Sequence, residues 1–375
     1  FAGTAATSPA NRIAVYWKKT AGGDIAPAII DVGNHVTGQI HCFFNVTTAG
    51  NPWDITAGGN DGAANDTTGV IPGATTATAN TLVVLIQGTS NDANSTANCS
   101  AWTNTDLAAI TERADNTGNT NLGGGHCLAT GEKATAGAYA NTTVTLSATT
   151  YKGAMSIALK PFVPTYEQSA YRLFNNADST DVGTALAAQD TVATLGSAGA
   201  AFRLRMLLHI STDQLPLSSE NFKLQFAQQS GTCDTGFVGE TYADVTAATV
   251  IAYNDNATPA DAATLTANAN DPTHGGDTIV NQTYEELNNF TNSVAAIPSG
   301  QDGKWDFSLK DNGATANTAY CFRVLKSDDS QLDTYTVVPE ITTAAANTAP
   351  TIGEVSLNSK GAINLIENTT IDIMA

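Results

Sequence analysis

Short segments in which apolar and polar residues alternate are the most regular feature of this sequence. In the clearest of them, positions 202, 204, 206, 208 and 210 are apolar, while 203, 205 and 209 are Arg, Arg and His. Alternation of period two predicts a β-strand with one buried and one exposed face. The same pattern predicts strands at 12–18, 39–46, 143–147, 222–226 and 305–309. Runs rich in Gly, Asn and Asp at 57–62 and 311–313 predict tight turns between antiparallel strands.

The composition favours the same fold class. Ala, Thr, Asn and Gly are abundant, whereas Lys, Glu and Leu are sparse. Such a composition is unsuited to helical bundles and typical of short strands joined by turns. We therefore predict an all-β protein built from tandem antiparallel β-sandwich domains of the jelly-roll or immunoglobulin-like kind.

Proline and small polar residues mark the predicted domain boundaries. Pro161 and Pro164 follow a predicted strand at 155–159, and proline cannot donate a hydrogen bond to a strand ladder. The polar tract at 342–350 has the composition of a linker. The predicted parts are a β-sandwich at 1–162, a second β-sandwich at 165–343, and a segment at 350–375. This last segment is too short for a core of its own, so we expect it to start an immunoglobulin-like domain or to supply an inter-subunit strand.

The balance of charge narrows the range of partners. Asp and Glu number 35 against 16 Lys and Arg, which gives a formal net charge of −19 over 375 residues. Nucleic acids and anionic membrane surfaces bind clustered Lys and Arg, and only Lys18 and Lys19 are adjacent here. No stretch approaches the ~18 apolar residues that a membrane-spanning helix needs. We therefore expect neither nucleic-acid binding nor membrane insertion.

The first part of the sequence resembles a β-sandwich module of phage structural proteins and large bacterial surface proteins. The residues that carry this resemblance are 15–19, 38–40, Trp102, 131–145 and 155–160. In that module a tryptophan-bearing strand usually precedes the first strand seen here. The resemblance therefore implies that Phe1 lies inside a domain.

The second part resembles a module repeated in large secreted proteins of candidate-phylum bacteria. The matching residues are 171–174, 202–205, 222–227 and 318–324, and the stretch 347–352 resembles the entry to an immunoglobulin-like repeat. No common activity is associated with these modules. The resemblance therefore implies an extracellular location rather than a particular chemistry.

Cysteine usage points to the same compartment. Cys233 and Cys321 are the only cysteines of the predicted second domain, and we predict a disulfide between them. In the first domain, Cys42, Cys99 and Cys127 leave one thiol over. Because Cys42 lies on the predicted apolar face of the strand at 39–46, we expect it to be buried. A bridge between Cys99 and Cys127 is then preferred, with the rival pairings open.

Local motifs of catalysis are absent from the sequence. It contains no His-Glu-x-x-His, Gly-x-Ser-x-Gly, Gly-x-x-x-x-Gly-Lys or Cys-x-x-Cys. Glu285 and Glu286 form a carboxylate pair, but adjacent residues of a strand face opposite ways, which disfavours glycosidase chemistry. Trp53 and Trp102 adjoin apolar runs, so a core role is favoured over a sugar-stacking one. We predict that the protein is not an enzyme and needs no catalytic cofactor.

A structural calcium ion is the one cofactor that the sequence suggests. The histidines at 35, 41, 126, 209 and 274 lie too far apart to indicate a metal site. Carboxylate and amide oxygens are the ligands that Ca²⁺ prefers, and they are frequent in the loops between 254 and 277. Without the spacing of a defined calcium loop, the candidates are Asp255, Asp261, Asp271 and Asp277.

Nine Asn-x-Ser/Thr sequons occur in the chain. In a sequence this rich in Asn and Thr many such triplets arise by chance, so we expect most to be unmodified turn residues. The alternative is a heavily glycosylated surface protein, for which Asn94 and Asn141 are the sites to test.

The modular pattern, the cysteines and the missing catalytic motifs together favour a structural role. We predict a cell-surface or extracellular protein that assembles with identical subunits, through β-sheet edges, into a filament, sheath or surface layer. The alternative is a glycan-binding adhesin or a phage tail or fibre component. Such a protein would present a groove of Trp, Tyr and Asn side chains to surface glycans.

Overall fold

The protein is an all-β chain with several antiparallel sheets, as a computed structural model shows. The structure describes residues 7–8, 11–20, 24–25, 37–90, 97–118, 124–287, 289–346, 356–357 and 363–364. These residues contain strands and turns but no helix, so no membrane-spanning helix occurs among them. The chain forms two compact units, Phe1–Thr165 with Ser211–Gln214, and Tyr166–Ile210 with Leu215–Ala375.

The described residues of the first unit form one six-stranded sheet and two small two-stranded ones. Its strands are β1 (Thr7–Ser8), β2 (Asn11–Arg12), β3 (Trp53–Ile71), β4 (Ala74–Thr76), β5 (Thr81–Thr89), β6 (Cys99–Thr103), β7 (Ala108–Gly118), β8 (Gly124–Lys133), β9 (Gly137–Tyr139) and β10 (Thr142–Leu159). The main sheet has the order β3-β10-β5-β8-β7, and β6 also pairs with β10.

The central strands of this sheet are buried on both faces. Val83 and Leu85 of β5 contribute to one apolar cluster, and Val84 and Ile86 contribute to a second. A strand covered on both sides needs a continuous apolar run, which the sequence of β5 provides. Cys99 and Cys127 form a disulfide within the first cluster.

Two predicted strands of the first unit are wrong in the described residues. The segment 37–45 contains no strand, and only Val46 forms a bridge, with Pro161. Cys42 is exposed, and Phe44 is 86% exposed, so the expectation that Cys42 is buried is wrong as well. The alternation of residues 39–46 has no strand ladder to fix its faces. In the predicted strand at 12–18, only Arg12 is paired, although Ile13 and Val15 pack on the second cluster.

The turn predicted at 57–62 is also wrong, because these residues lie inside β3. Gly58 and Gly59 pair with Met155 and Ala154 of β10. A Cβ atom on Gly59 would come within 3.0 Å of Cγ of Pro72. The glycine therefore fits a close approach inside a strand rather than a reversal of the chain.

Up to residue 346, the described residues of the second unit form two six-stranded sheets. Its strands are β11 (Thr165–Asn175), β12 (Ala193–Thr194), β13 (Ala201–Ser211), β14 (Asn221–Gln228), β15 (Ala243–Asp244), β16 (Ile251–Tyr253), β17 (Ile279–Glu285), β18 (Asn289–Thr291), β19 (Gln301–Asp311), β20 (Ala319–Lys326), β21 (Thr334–Tyr335) and β22 (Glu340–Thr342). One sheet has the order β16-β19-β13-β11-β21 with β17 beside β19, and the other has the order β12-β22-β20-β14-β15 with β18 beside β14. Three of the pairings are parallel: β11 with β21, β12 with β22, and β17 with β19.

One large apolar core draws on both sheets of the second unit. β13 and β19 contribute Leu204 and Trp305, while β14 contributes Phe222. The rings of Phe222 and Phe290 stack at 5.5 Å, and Trp305 donates a hydrogen bond to the Thr291 carbonyl at 3.1 Å. The alternation that predicted these strands therefore gives the inward face correctly.

The predicted C-terminal segment lies almost entirely outside the described residues. Only β23 (Ser356–Leu357) and β24 (Ile363–Asn364) are described, as a short antiparallel pair. An immunoglobulin-like start or an inter-subunit strand at 350–375 therefore stays a prediction.

Candidate metal centre

The outer face of β13 and β19, opposite the core, is polar and yet largely buried. β13 presents Arg203 and Arg205 there, and β19 presents Lys304 and Asp306, all with no exposed surface. The sequence predicted an exposed face at these positions, and that prediction is wrong. The burial of a charge is costly unless it is paired, so these side chains must find partners inside the fold.

Ion pairs provide those partners. Asp306 accepts hydrogen bonds from Arg203 at 2.9 and 2.8 Å and from Arg205 at 2.7 Å. Arg205 and Lys304 both form short ion pairs with Asp271. Arg203 also donates to the carbonyls of 177 and 179 at 2.9 and 3.0 Å. The network thus leaves each of these cations with a carboxylate partner.

Asp271 belongs to a long loop that lies against this face, residues 254–278, which we call the covering segment. Its Asn254 N–H donates to the Ser308 carbonyl of β19 at 2.9 Å. Its Leu265 N–H donates to the Gln282 carbonyl of β17 at 3.0 Å. The segment contains no strand, and it is joined to the sheet by hydrogen bonds and by the ion pairs of Asp271.

Two histidines and two aspartates meet at one end of the buried face. His209 of β13 is directly opposite Asp302 of β19 in the strand register. His274 and Asp277 come from the covering segment, where the Asp277 N–H donates to the His274 carbonyl at 3.1 Å. The potential ligand atoms of all four residues lie within 4.8 Å of one another. We call these residues the His–Asp cluster.

In the His–Asp cluster, Nδ1 of each histidine lies close to a carboxylate oxygen of each aspartate. Asp277 Oδ2 lies 3.1 Å from His209 Nδ1 and 3.3 Å from His274 Nδ1. Asp302 Oδ1 lies 3.4 Å from His274 Nδ1, and Asp302 Oδ2 lies 3.7 Å from His209 Nδ1. Imidazole nitrogens and carboxylate oxygens are ligands for divalent transition metals such as Zn²⁺.

Burial shapes the electrostatics of Asp302. Its side chain has no exposed surface, and this desolvation raises the pKa of its carboxyl group. Ser169, which donates to Asp302 Oδ1 at 2.8 Å, and the two histidines act in the opposite direction on that pKa. A buried carboxylate of this kind needs either a proton or a nearby cation.

Comparison of the chain with protein-family models, with curated protein sequences and with solved structures finds no match. The site therefore has to be interpreted from its own geometry. Four protein donors around one point form a closed set of ligands, and such closed sets are typical of structural metal sites, whereas catalytic sites keep a position for water or substrate.

The structure separates the four predicted calcium ligands. Asp255 is exposed, Asp261 accepts a hydrogen bond from the Glu286 N–H at 2.9 Å, and Asp271 pairs with Arg205. Asp277 alone joins a group of potential ligands, and its partners there include two imidazoles. No group of three or more acidic, His or Cys ligands in the described ranges combines two of these four aspartates.

The predicted disulfides are both present. Cys99 bonds to Cys127, and Cys233 bonds to Cys321. Asp115 lies near the first pair, but sulfur atoms held in a disulfide cannot act as thiolate ligands. The two disulfides indicate an oxidising environment.

The glycosylation candidates differ in their placement. Asn141 is exposed, and its Oδ1 accepts a hydrogen bond from the Gly73 N–H at 2.9 Å. Asn94 lies outside the described residues. The sequon at Asn98 is buried, with 1% of the residue exposed, and its amide donates to Thr89 at 3.2 Å. Asn98 is therefore inaccessible in the folded chain.

Glu285 is a further buried carboxylate, and its partners differ from those of Glu286. Burial raises the pKa of Glu285 to about 8, and Asp261 acts in the same direction. Thr283 donates a short hydrogen bond to Glu285, whereas Glu286 accepts one from Tyr284 at 2.9 Å. The folded state therefore favours protonated Glu285.

Glu285 makes the stability of the second unit depend on pH. Because its folded pKa is above its unfolded value, its contribution is complete below the unfolded value of 4.5 and is lost as the pH rises through about 8. Glu285→Gln keeps the group neutral, so we expect a gain of about 1–3 kcal/mol at pH 8 and little change at pH 5. Urea unfolding at both pH values measures this difference, with exposed Asp178→Asn as the control. An equal pH dependence in parent and Glu285→Gln would contradict it.

Proposed function

We propose that this chain is a non-enzymatic structural protein of an extracellular assembly, a repeating subunit of a filament, sheath or surface layer. The observation that carries the proposal is that several charged side chains of the second unit form an ion-pair network in the interior of the fold. Arg203, Arg205, Lys304 and Asp306 are fully buried and engaged with one another or with the covering segment. A buried ion-pair network of this kind suits a rigid subunit.

The disulfides support an extracellular location for this subunit. Each unit contains one, and the two link residues 28 and 88 positions apart. Disulfides persist in oxidising compartments and stabilise folds that must last outside the cell.

Sheet edges provide the means of self-association. Within the described residues, β12 and β21 each pair with a strand on one side only. The free side of an edge strand presents backbone N–H and carbonyl groups that a strand of a neighbouring copy can pair with. A subunit of this kind polymerises through main-chain hydrogen bonds rather than through a ligand.

Electron microscopy of the purified, oxidised full chain tests the proposal. We expect polymers or sheets with a regular repeat in averaged images, increasing with protein concentration. A heat-denatured sample is the control, since a disordered aggregate has no repeat. Monomers at all concentrations, confirmed by sedimentation, would overturn the proposal, and binding of the monomer to a glycan array would support the adhesin alternative instead.

A further inference from the structure

The spacing of donor atoms in the His–Asp cluster fits a tetrahedral metal ion. Four bonds of about 2.0–2.1 Å to a central Zn²⁺ place neighbouring ligand atoms about 3.3–3.4 Å apart. Asp277 Oδ2 lies 3.1 and 3.3 Å from the two imidazole nitrogens, and the two oxygens of Asp302 lie 3.4 and 3.7 Å from them. These distances are close to the ligand spacing around one such ion.

Unpartnered buried atoms point to a ligand in the His–Asp cluster. Nδ1 of His209, Nδ1 of His274 and Oδ2 of Asp302 are buried and form no hydrogen bond with the described residues. Asp302 has no exposed surface at all. Buried polar atoms are almost always satisfied, and one cation at the centre of the cluster satisfies all three.

The charge of the cluster and the chemistry of its donors select the kind of ion. Two carboxylates and two neutral imidazoles carry a formal charge of −2, which a divalent cation neutralises. Arg205 and Lys304 of the same face are already paired with Asp271. Ca²⁺ takes six to eight oxygen ligands, whereas half of the donors here are nitrogen. We propose that His209, His274, Asp277 and Asp302 bind one Zn²⁺ ion, which fastens the covering segment to the outer face of the second unit.

The positions of the four ligands in the chain indicate what the ion does. His209 and Asp302 lie on adjacent strands, and His274 and Asp277 lie near the end of the covering segment. The metal closes the loop that buries the ion-pair network. His274 and Asp277 retain 33% and 28% side-chain exposure, which leaves a path for the ion to enter. This site does not depend on whether the chain polymerises.

Metal binding by the full chain, prepared without a polyhistidine tag and stripped with a chelator, tests the proposal. Titration calorimetry with Zn²⁺ and metal analysis after dialysis are expected to give one ion per chain. Replacement by Co²⁺ is expected to give the visible absorption of a tetrahedral site. Ca²⁺ is expected not to compete.

Two variants and a matched control locate the site. His274→Ala and Asp277→Asn each remove one ligand from the partly exposed covering segment, so we expect Zn²⁺ affinity to fall more than about 100-fold, beyond the loss seen when an outer-shell partner is removed. Asp255→Asn changes an exposed aspartate of the same segment and is expected to bind as the parent does. Hydrogen exchange of β19 shows that each variant is folded. Absence of bound Zn²⁺ in the parent, or equal binding by folded His274→Ala, would overturn the proposal.

Discussion

Asp306→Ala is expected to destabilise the second unit by about 3–5 kcal/mol. Asp306 is fully buried and accepts hydrogen bonds from both Arg203 and Arg205. Removing it leaves two arginines without this carboxylate in a region that excludes water, and the penalty of an uncompensated buried charge exceeds the net value of the pair itself. Hydrogen exchange of β19 peptides under native conditions measures the loss separately for this unit.

A second substitution distinguishes a charge effect from a packing effect. Arg203 has no carboxylate partner other than Asp306 among its described contacts, so Arg203→Met in the Asp306→Ala chain removes the orphaned charge. We expect the double variant to recover part of the lost stability. Exposed Asp178→Ala is the matched control, with an expected change within ~0.5 kcal/mol. A loss below about 1 kcal/mol for Asp306→Ala would contradict the role given to the network.

Replacing Cys233 and Cys321 by alanine is expected to cost the second unit about 4–5 kcal/mol. The disulfide joins residues 88 positions apart, and in the chain-entropy model a crosslink of that span strongly restricts the unfolded state. The corresponding change at Cys99 and Cys127, 28 positions apart, is expected to cost the first unit about 3–4 kcal/mol. Urea unfolding followed by hydrogen exchange resolves the two units.

Cys42→Ala is the control for both disulfide variants, because Cys42 is a free and exposed thiol. We expect no measurable change in either unit. Peptide mapping of the parent without reduction should give a single free thiol, at Cys42. Free thiols at Cys233 and Cys321, or a loss below about 1 kcal/mol in their absence, would contradict the stabilising role and weaken the extracellular assignment with it.

The core-facing residues of the second unit could be predicted from the local alternation of apolar and polar residues. Residues such as Leu204 and Phe307 occupy every second position, and both lie in the core. Local alternation failed at 39–46 because a strand also needs a neighbour to pair with, and the pattern of one segment does not specify that neighbour. It failed at 57–62 because glycine serves both tight turns and close contacts inside a strand.

The burial of the outer face of β13 and β19 could not be predicted from local sequence patterns, for a different reason. Arg203 and Arg205 alternate with apolar residues as they would on a solvent-exposed face, and only tertiary contacts show that a loop covers them. The His–Asp cluster combines residues from two strands and one loop, so no short motif contains it. The spacing of His274 and Asp277, three residues apart, is the one local signal that could have indicated a metal site.

The covering segment supplies Asp271 to the ion-pair network and two of the four residues of the His–Asp cluster. Residue-resolved hydrogen exchange of the native chain tests its placement most directly. Leu265 N–H donates to Gln282 at 3.0 Å and Ala262 N–H donates to Tyr284 at 2.9 Å, so both amides should exchange as slowly as those of β19. Exchange of these amides at the rate of an unstructured peptide, while β19 stays protected, would contradict the burial of the charged face.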